Sequence, residues 1–173
     1  MAMLPLRPVG QITPYLWFDG QAEEAARFYV ALFADSSLDE VSRYTEAGRE
    51  VHGREPGSAM TVHFRLAGQS FVGLNGGPQF PFTEAVSFMV TCETQAELDA
   101  LWERLTEGGD PAAQQCGWCK DRFGVSWQVV PSALGRYLGD PDPGRAARAT
   151  EAMLRMKKLD LAALERAAEG GEG

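Results

Sequence analysis

A chain of 173 residues with 45% hydrophobic and 23% charged residues suits one well-cored domain or two half-size modules, and excludes a disordered chain. Its net charge of -8 repels phosphate backbones, so no nucleic-acid partner is expected. No apolar run approaches the roughly 20 residues needed to span a bilayer, and Met1–Gly10 has no apolar core of the signal-peptide kind. The odd set Cys92, Cys116 and Cys119 reads as reduced thiols, so a cytoplasmic protein without a membrane partner is expected.

Ile12–Phe18 is a short apolar, aromatic-rich run that predicts a buried strand, closed by Asp19-Gly20. The period then changes: Ala22, Ala25, Ala26, Tyr29 and Phe33 share one face of a helix over Gln21–Phe33. A polar stretch from Asp35 to Gly57 holds a short strand near Val41–Tyr44. Met60–Leu66 alternates apolar and polar residues as a half-buried strand does, and Ala67-Gly68-Gln69 turns the chain into a second strand, Ser70–Leu74, ending at Asn75-Gly76-Gly77-Pro78.

The pattern then restarts. Val86–Cys92 is an apolar run, Thr94 and Glu97 form a capping-box signature, and Leu98, Leu101, Trp102 and Leu105 mark a helix face ended by Gly108-Gly109. Gln114–Lys120 and Val125–Val130 follow as strands. A shift of 74 residues superposes Gln21-Ala22-Glu23 on Gln95-Ala96-Glu97, Ala26 on Ala100, and Ile12–Phe18 on Val86–Cys92. A shared register over strand, cap and helix indicates a duplicated unit. Beyond Pro131, Arg145–Lys158 and Asp160–Ala168 read as amphipathic helices, the second capped by Asp160, followed by a short tail. The expected organisation is α+β: a βαβββ module over 11–80, another over 84–131, and a C-terminal helical extension over 132–173.

The words of the sequence carry a resemblance. Ile12-Thr13-Pro14-Tyr15-Leu16-Trp17-Phe18-Asp19-Gly20, Ala22-Glu23-Glu24-Ala25 and Phe28-Tyr29 are followed by Leu74-Asn75-Gly76-Gly77-Pro78, Gln115-Cys116-Gly117-Trp118, Lys120-Asp121 and Gly124-Val125-Ser126-Trp127-Gln128. In this order, over roughly residues 11 to 165, the chain resembles the vicinal-oxygen-chelate (glyoxalase/bleomycin-resistance/dioxygenase) superfamily, in its PhnB-like branch labelled 3-demethylubiquinone-9 3-methyltransferase. The resemblance implies two βαβββ modules around a cup-shaped pocket and a homodimer. The residues themselves do not support methyl transfer: Gly76-Gly77-Pro78 follows a strand, but no helical pattern opens after it to form a nucleotide loop.

Metal-dependent members take His, Gln or Glu ligands from the first and last strands of each module. By the resemblance those positions fall near Ile12, Val86, Gly73 or Leu74, and Gln128, which together offer one neutral amide, so no metal or other cofactor is expected. If residue 12 faces the cup, Pro14 and Leu16 do too, with Tyr15 and Trp17 toward the helix; Gln128 shares a face with Ser126, and Asn75 with Gly73. Asn75, Gln128, Ser126 and Trp118 are the candidate ligand-binding residues. Asn75 and Gln128 could instead satisfy neighbouring backbone groups, and Trp118 and Trp127 could instead be core. No catalytic set is legible; Cys116 is a candidate nucleophile and His63 a candidate base, each with a bland alternative as inert thiol or solvated imidazole. Cys116-Gly117-Trp118-Cys119 sits on a predicted strand, where a redox pair would point to opposite faces.

The leading expectation is thus a metal-free protein binding an unknown small molecule in the inter-module cup. The alternatives are an enzyme of the glyoxalase/dioxygenase type with non-standard ligands, and a structural or regulatory dimer with a vestigial cup.

Overall fold

The computed structural model describes residues 12–171; the expectations for Met1–Gly10 and for a module beginning at residue 11 lie outside the described residues. The chain forms two compact units, one ending at Pro81 and one running from Phe82.

The first unit runs β1 (Tyr15–Phe18), α1 (Ala22–Val30), β2 (Ser37–Arg43), the single turn α2 (Arg49–His52), β3 (Ala59–Leu66) and β4 (Gln69–Asn75). Its sheet has the order β1-β4-β3-β2, with β1 parallel to β4 and the other pairs antiparallel. Because β1 and β4 are parallel, the chain between them must cross over, and α1 lies on one face of the sheet. Ala22, Ala25, Ala26 and Tyr29 are fully buried there, against an inner sheet face of Leu16, Phe18, Val62, Phe64 and Phe71. Phe64 stacks on Phe71 with ring centroids 5.5 Å apart. Small alanines let the helix sit close: a β-carbon on Gly73 of β4 would stand 3.1 Å from the Ala22 methyl. Burying each large side chain in this layer contributes about 1.5–3 kcal/mol.

The second unit repeats the scheme with β5 (Phe88–Cys92), α3 (Gln95–Thr106), β6 (Trp118–Lys120) and β7 (Ser126–Pro131). Sheet order is β5-β7-β6, again with the first strand parallel to the last. The outermost strand of the first unit has no full counterpart; only Gln115 bridges Trp118. The two βαβββ modules therefore differ in completeness, the second being abbreviated at its edge. The capping box is formed as expected, with Thr94 and Glu97 each closing on the other's backbone.

Three expectations shift. Both first strands begin later than the apolar runs suggest, leaving Ile12 88% and Val86 70% exposed. Gln114–Gly117 is not strand: Cys116 and Gly117 both have positive φ (52° and 85°), and Gln115 and Trp118 exchange backbone hydrogen bonds across them. That is a two-residue type I′ hairpin turn, where Gly is favoured second and a cysteine first is unusual. The third shift is a helix the periodicity does not separate, α4 (Leu134–Leu138), placed before α5 (Pro143–Arg155) and α6 (Leu161–Glu169).

The C-terminal helices are part of the second compact unit. Their connector is tied down at four points. The N–H groups of Cys116 and Gly117 donate to the Met156 and Lys157 carbonyls. The Gln95 amide donates to the Leu159 carbonyl and accepts from the Leu161 N–H. Lys158 pairs with Asp99 at 2.6 Å, and Leu159 is fully buried. Asp160 caps α6 as expected, accepting from Ala163 N. Among the described residues no helix is long and apolar enough to cross a membrane.

Candidate functional site

In the first unit α1 covers one sheet face and leaves the other open. The open face carries Tyr15 and Trp17 from β1, Val72 and Leu74 in register beside them, and Thr61 and His63 one strand further. This reverses the expected facing of β1: Leu16 and Phe18 lie buried under α1, whereas Tyr15 is 63% exposed. Every residue from 15 to 18 is apolar or aromatic, so no polar alternation in β1 itself could assign its faces. A hollow of about 280 Å³ on this face is lined by Thr13, Tyr15, Asp39, His63, Ser70 and Val72. His63 therefore has a carboxylate in the same hollow, but Asp39 already accepts from the Ser37 hydroxyl (2.6 Å) and lies 3.7 Å from Arg65.

Asn75 is elsewhere. It is 4% exposed on the helix-covered face; its Oδ1 accepts from Ala22 N (2.9 Å) and its Nδ2 donates to the Ala59 carbonyl (3.0 Å). Both ends of the amide serve the fold, as the backbone alternative for Asn75 supposed. Since Gln21 makes no side-chain cap of α1, Asn75 supplies from the sheet what Thr94 supplies locally to α3. The neighbouring glycines are equally structural. A β-carbon on Gly76 would fall inside the Trp17 indole, whose Nε1 donates to the Gly77 carbonyl at 2.7 Å. No helix follows them; the next element is β5.

In the second unit the expected facing of the last strand holds. Trp127, Val129 and Pro131 are buried on the helix side, and Ser126 and Gln128 share the other face. Across the strands, Trp118 pairs with Gln128, Lys120 with Ser126, and Met89 with Gln128 from the other side. Three of the four candidate ligand residues, Gln128, Ser126 and Trp118, thus gather on one sheet face, and Asn75 does not join them. Gln128 Nε2 donates to the Ser87 hydroxyl (2.9 Å), and Lys120 pairs with Glu84 at 2.5 Å. The Ser126 hydroxyl is buried without a hydrogen-bond partner among the described residues.

Lys120 enters the sequence reading only as a turn pair with Asp121, although it lies two residues from Trp118 on one strand and period two puts both on one face. Glu84 and Ser87 carry no such signal, because they belong to an irregular segment. Trp127 faces the opposite way, its Nε1 donating to Asp121 Oδ2 (2.8 Å); Asp121 Oδ1 also accepts from Phe123 and Val125 N–H groups.

The thiols divide by environment. Cys119 is 1% exposed, and burial first, with the Asp121 charge second, pushes its thiol up to about 12. Burial, then the Glu97 charge, also raises the Cys92 thiol. Cys116 stands apart, half-buried in a turn whose hydrogen bonds are backbone ones to Met156 and Lys157. Among the described residues no three His, Cys, Asp or Glu side chains group as metal ligands would. Of the positions that the resemblance gives to metal ligands, Ile12 and Val86 are exposed and apolar and Gly73 packs on α1, which leaves the Gln128 amide oxygen as a single donor and no fit for a cation.

Comparison with known proteins agrees with this architecture. The sequence model described as 3-demethylubiquinone-9 3-methyltransferase matches residues 10–130. A PhnB protein from Bacillus cereus with the same description is 36% identical, over 71% of this chain and 100% of its own, with a TM-score of 0.61. A Pseudomonas aeruginosa protein is 24% identical, covering 70% of this chain and 96% of its own, with a TM-score of 0.52. The fosfomycin resistance protein FosX of Listeria monocytogenes, 13% identical over 78% of this chain and 99% of its own, has a TM-score of 0.51; both of these share the fold alone. No curated protein sequence matches the chain. Helices α4–α6 lie outside the family match. By its sequence match over residues 10–130 and its 36% identity to a PhnB protein along that relative's whole length, the chain belongs to the 3-demethylubiquinone-9 3-methyltransferase family.

Proposed function

We propose that the protein binds a small, partly aromatic molecule on its uncovered sheet faces, without a metal and without making or breaking a bond. The observation that carries this reading is the composition of those faces. Large apolar side chains (Tyr15 and Met89, each 63% exposed) stand beside a few neutral polar groups (Gln128 and Ser70). An apolar surface with sparse hydrogen-bonding groups is the usual make-up of a small-molecule site. Methyl transfer, as the family description words it, finds no support in the residues: the Gly76-Gly77 pair accommodates Trp17 and opens no helix to receive a nucleotide.

A fragment screen by protein-observed NMR tests the proposal. Aromatic fragments should shift residues of the open faces, and Tyr15→Ala or Gln128→Ala should weaken them about three- to tenfold, the loss of one contact or hydrogen bond. Fragments that bind both variants as they bind the wild type refute the assignment. Divalent cations should leave the melting temperature unchanged; a rise would refute the metal-free part.

The homodimer implied by the resemblance is part of the same proposal. Exposed apolar groups such as Tyr15, Phe80, Val86 and Met89 are what a second copy would cover. A sedimenting species of 18.8 kDa alone would refute it.

A further inference from the structure

One polar group in the second unit is out of place. The Ser126 hydroxyl is buried with no hydrogen-bond partner among the described residues, an arrangement costing about 1–3 kcal/mol that native folds avoid. The residues flanking it on the same sheet face are Lys120, directly opposite on β6, and Gln128, two residues along β7. Each of these is held by the segment leading into β5: Glu84 takes the Lys120 ammonium, and the Ser87 hydroxyl takes the Gln128 amide. Residues 82–87 form no helix or strand. This stretch is tied at Glu84 and Ser87 to the two residues that flank Ser126 on the sheet face, and neither tie reaches its hydroxyl.

Resting on the binding function above, we propose that Lys120, Ser126 and Gln128 form a site for a small organic anion, a carboxylate or phosphonate. In the free protein the Glu84 carboxylate occupies the anion position as an internal surrogate. Three donors lie side by side on this face: an ammonium, a hydroxyl and a primary amide, the set that matches an oxyanion's several lone pairs. Glu84 satisfies only the first, and its side chain remains 59% exposed while that of Lys120 is 20% exposed, so the surrogate can swing out while the cation stays. The ligand would bring its own anionic oxygens to all three. With a net charge of -8 the chain disfavours bare anions. Trp118 and Met89, each in register with Gln128, supply the apolar surface that makes an aryl or alkyl body part of the recognised class.

The test is calorimetric titration at fixed ionic strength, with phenylphosphonate and the neutral benzyl alcohol as probes, on the full chain and three variants. Glu84→Gln removes the competitor and should tighten phenylphosphonate about fivefold, the scale of a partly exposed ion pair, with benzyl alcohol unchanged. Lys120→Met should abolish the preference for phenylphosphonate over benzyl alcohol. Ser126→Ala separates a binding role from a structural one. It deletes an unpaired hydroxyl, so the melting temperature should hold or rise, yet phenylphosphonate should weaken about tenfold or more, as for one lost hydrogen bond to a charged group. Inorganic phosphate, lacking the apolar body, should bind at least tenfold more weakly than phenylphosphonate. If benzyl alcohol and phenylphosphonate bind alike and neither Lys120→Met nor Glu84→Gln changes their ratio, the anion site is overturned while the binding function stands. If neither probe binds any form, both are overturned.

Discussion

Replacing Asn75 with alanine decides whether this residue serves the fold or a ligand. The structure assigns it two internal hydrogen bonds in a setting only 4% exposed, one to the first N–H of α1 and one to the Ala59 carbonyl at the start of β3. Losing an N-terminal cap costs about 1 kcal/mol, and leaving buried backbone groups unpaired adds about 1–3 kcal/mol. The expected destabilisation is therefore about 2–4 kcal/mol. With a urea dependence of about 2 kcal/mol per molar for a small unit, the midpoint should fall by about 1–2 M. The assay is urea unfolding followed by tryptophan fluorescence, Trp17 reporting on the first unit through its own bond to Gly77. Asn75→Asp should recover part of the loss. It restores the acceptor and places a negative charge at a helix N-terminus, but it turns a carboxylate oxygen toward the Ala59 carbonyl. An Asn75→Ala protein as stable as wild type that had lost fragment binding would refute the assignment and return Asn75 to the ligand.

Three further outcomes follow from particular contacts. Asp121→Ala removes a buried acceptor of three N–H groups at 2.8–3.0 Å and should cost about 3–5 kcal/mol in urea unfolding; a loss below 1 kcal/mol would show that the hairpin does not depend on it. Because the Cys119 thiol is raised from 9.0 to about 12, the folded state keeps a proton that the unfolded chain releases. The stability due to this group is then complete below about pH 9 and lost as pH rises from 9 toward 12, so Cys119→Ala should flatten the alkaline limb of stability against pH; an unchanged slope refutes this. Gln95→Ala frees the Leu159 carbonyl and Leu161 N–H, and limited proteolysis should then cut within residues 156–161 before any other site; first cleavage elsewhere would show that Cys116, Gly117 and Asp99 suffice to hold the connector.

The residues left most to be decided by the site are those whose role depends on facing. Gln128 and Ser126 share a face of β7 because residues two apart on a strand do. The facing of β1 is not legible, since its anchor Ile12 lies outside the strand, and Asn75 is buried on the helix-covered face. Cys116 falls within the expected strand Gln114–Lys120, although Gly117 beside it is the residue a two-residue turn favours.

What the sequence by itself determined is the local and periodic part of this protein. The 74-residue repeat, the capping box at Thr94, the Asp160 cap and the alternation in β3 depend on neighbours within a few residues, and each is formed as the spacing requires. Tertiary structure alone decided what depends on contacts between distant segments. These are the cap that Asn75 lends to α1 across 53 residues, the docking of residues 156–161 on Gln95 and Gly117, and the tie of Glu84 and Ser87 to Lys120 and Gln128. Such pairs carry no periodic signature, because which strand face meets which segment is set by packing and not by the spacing of residues along the chain.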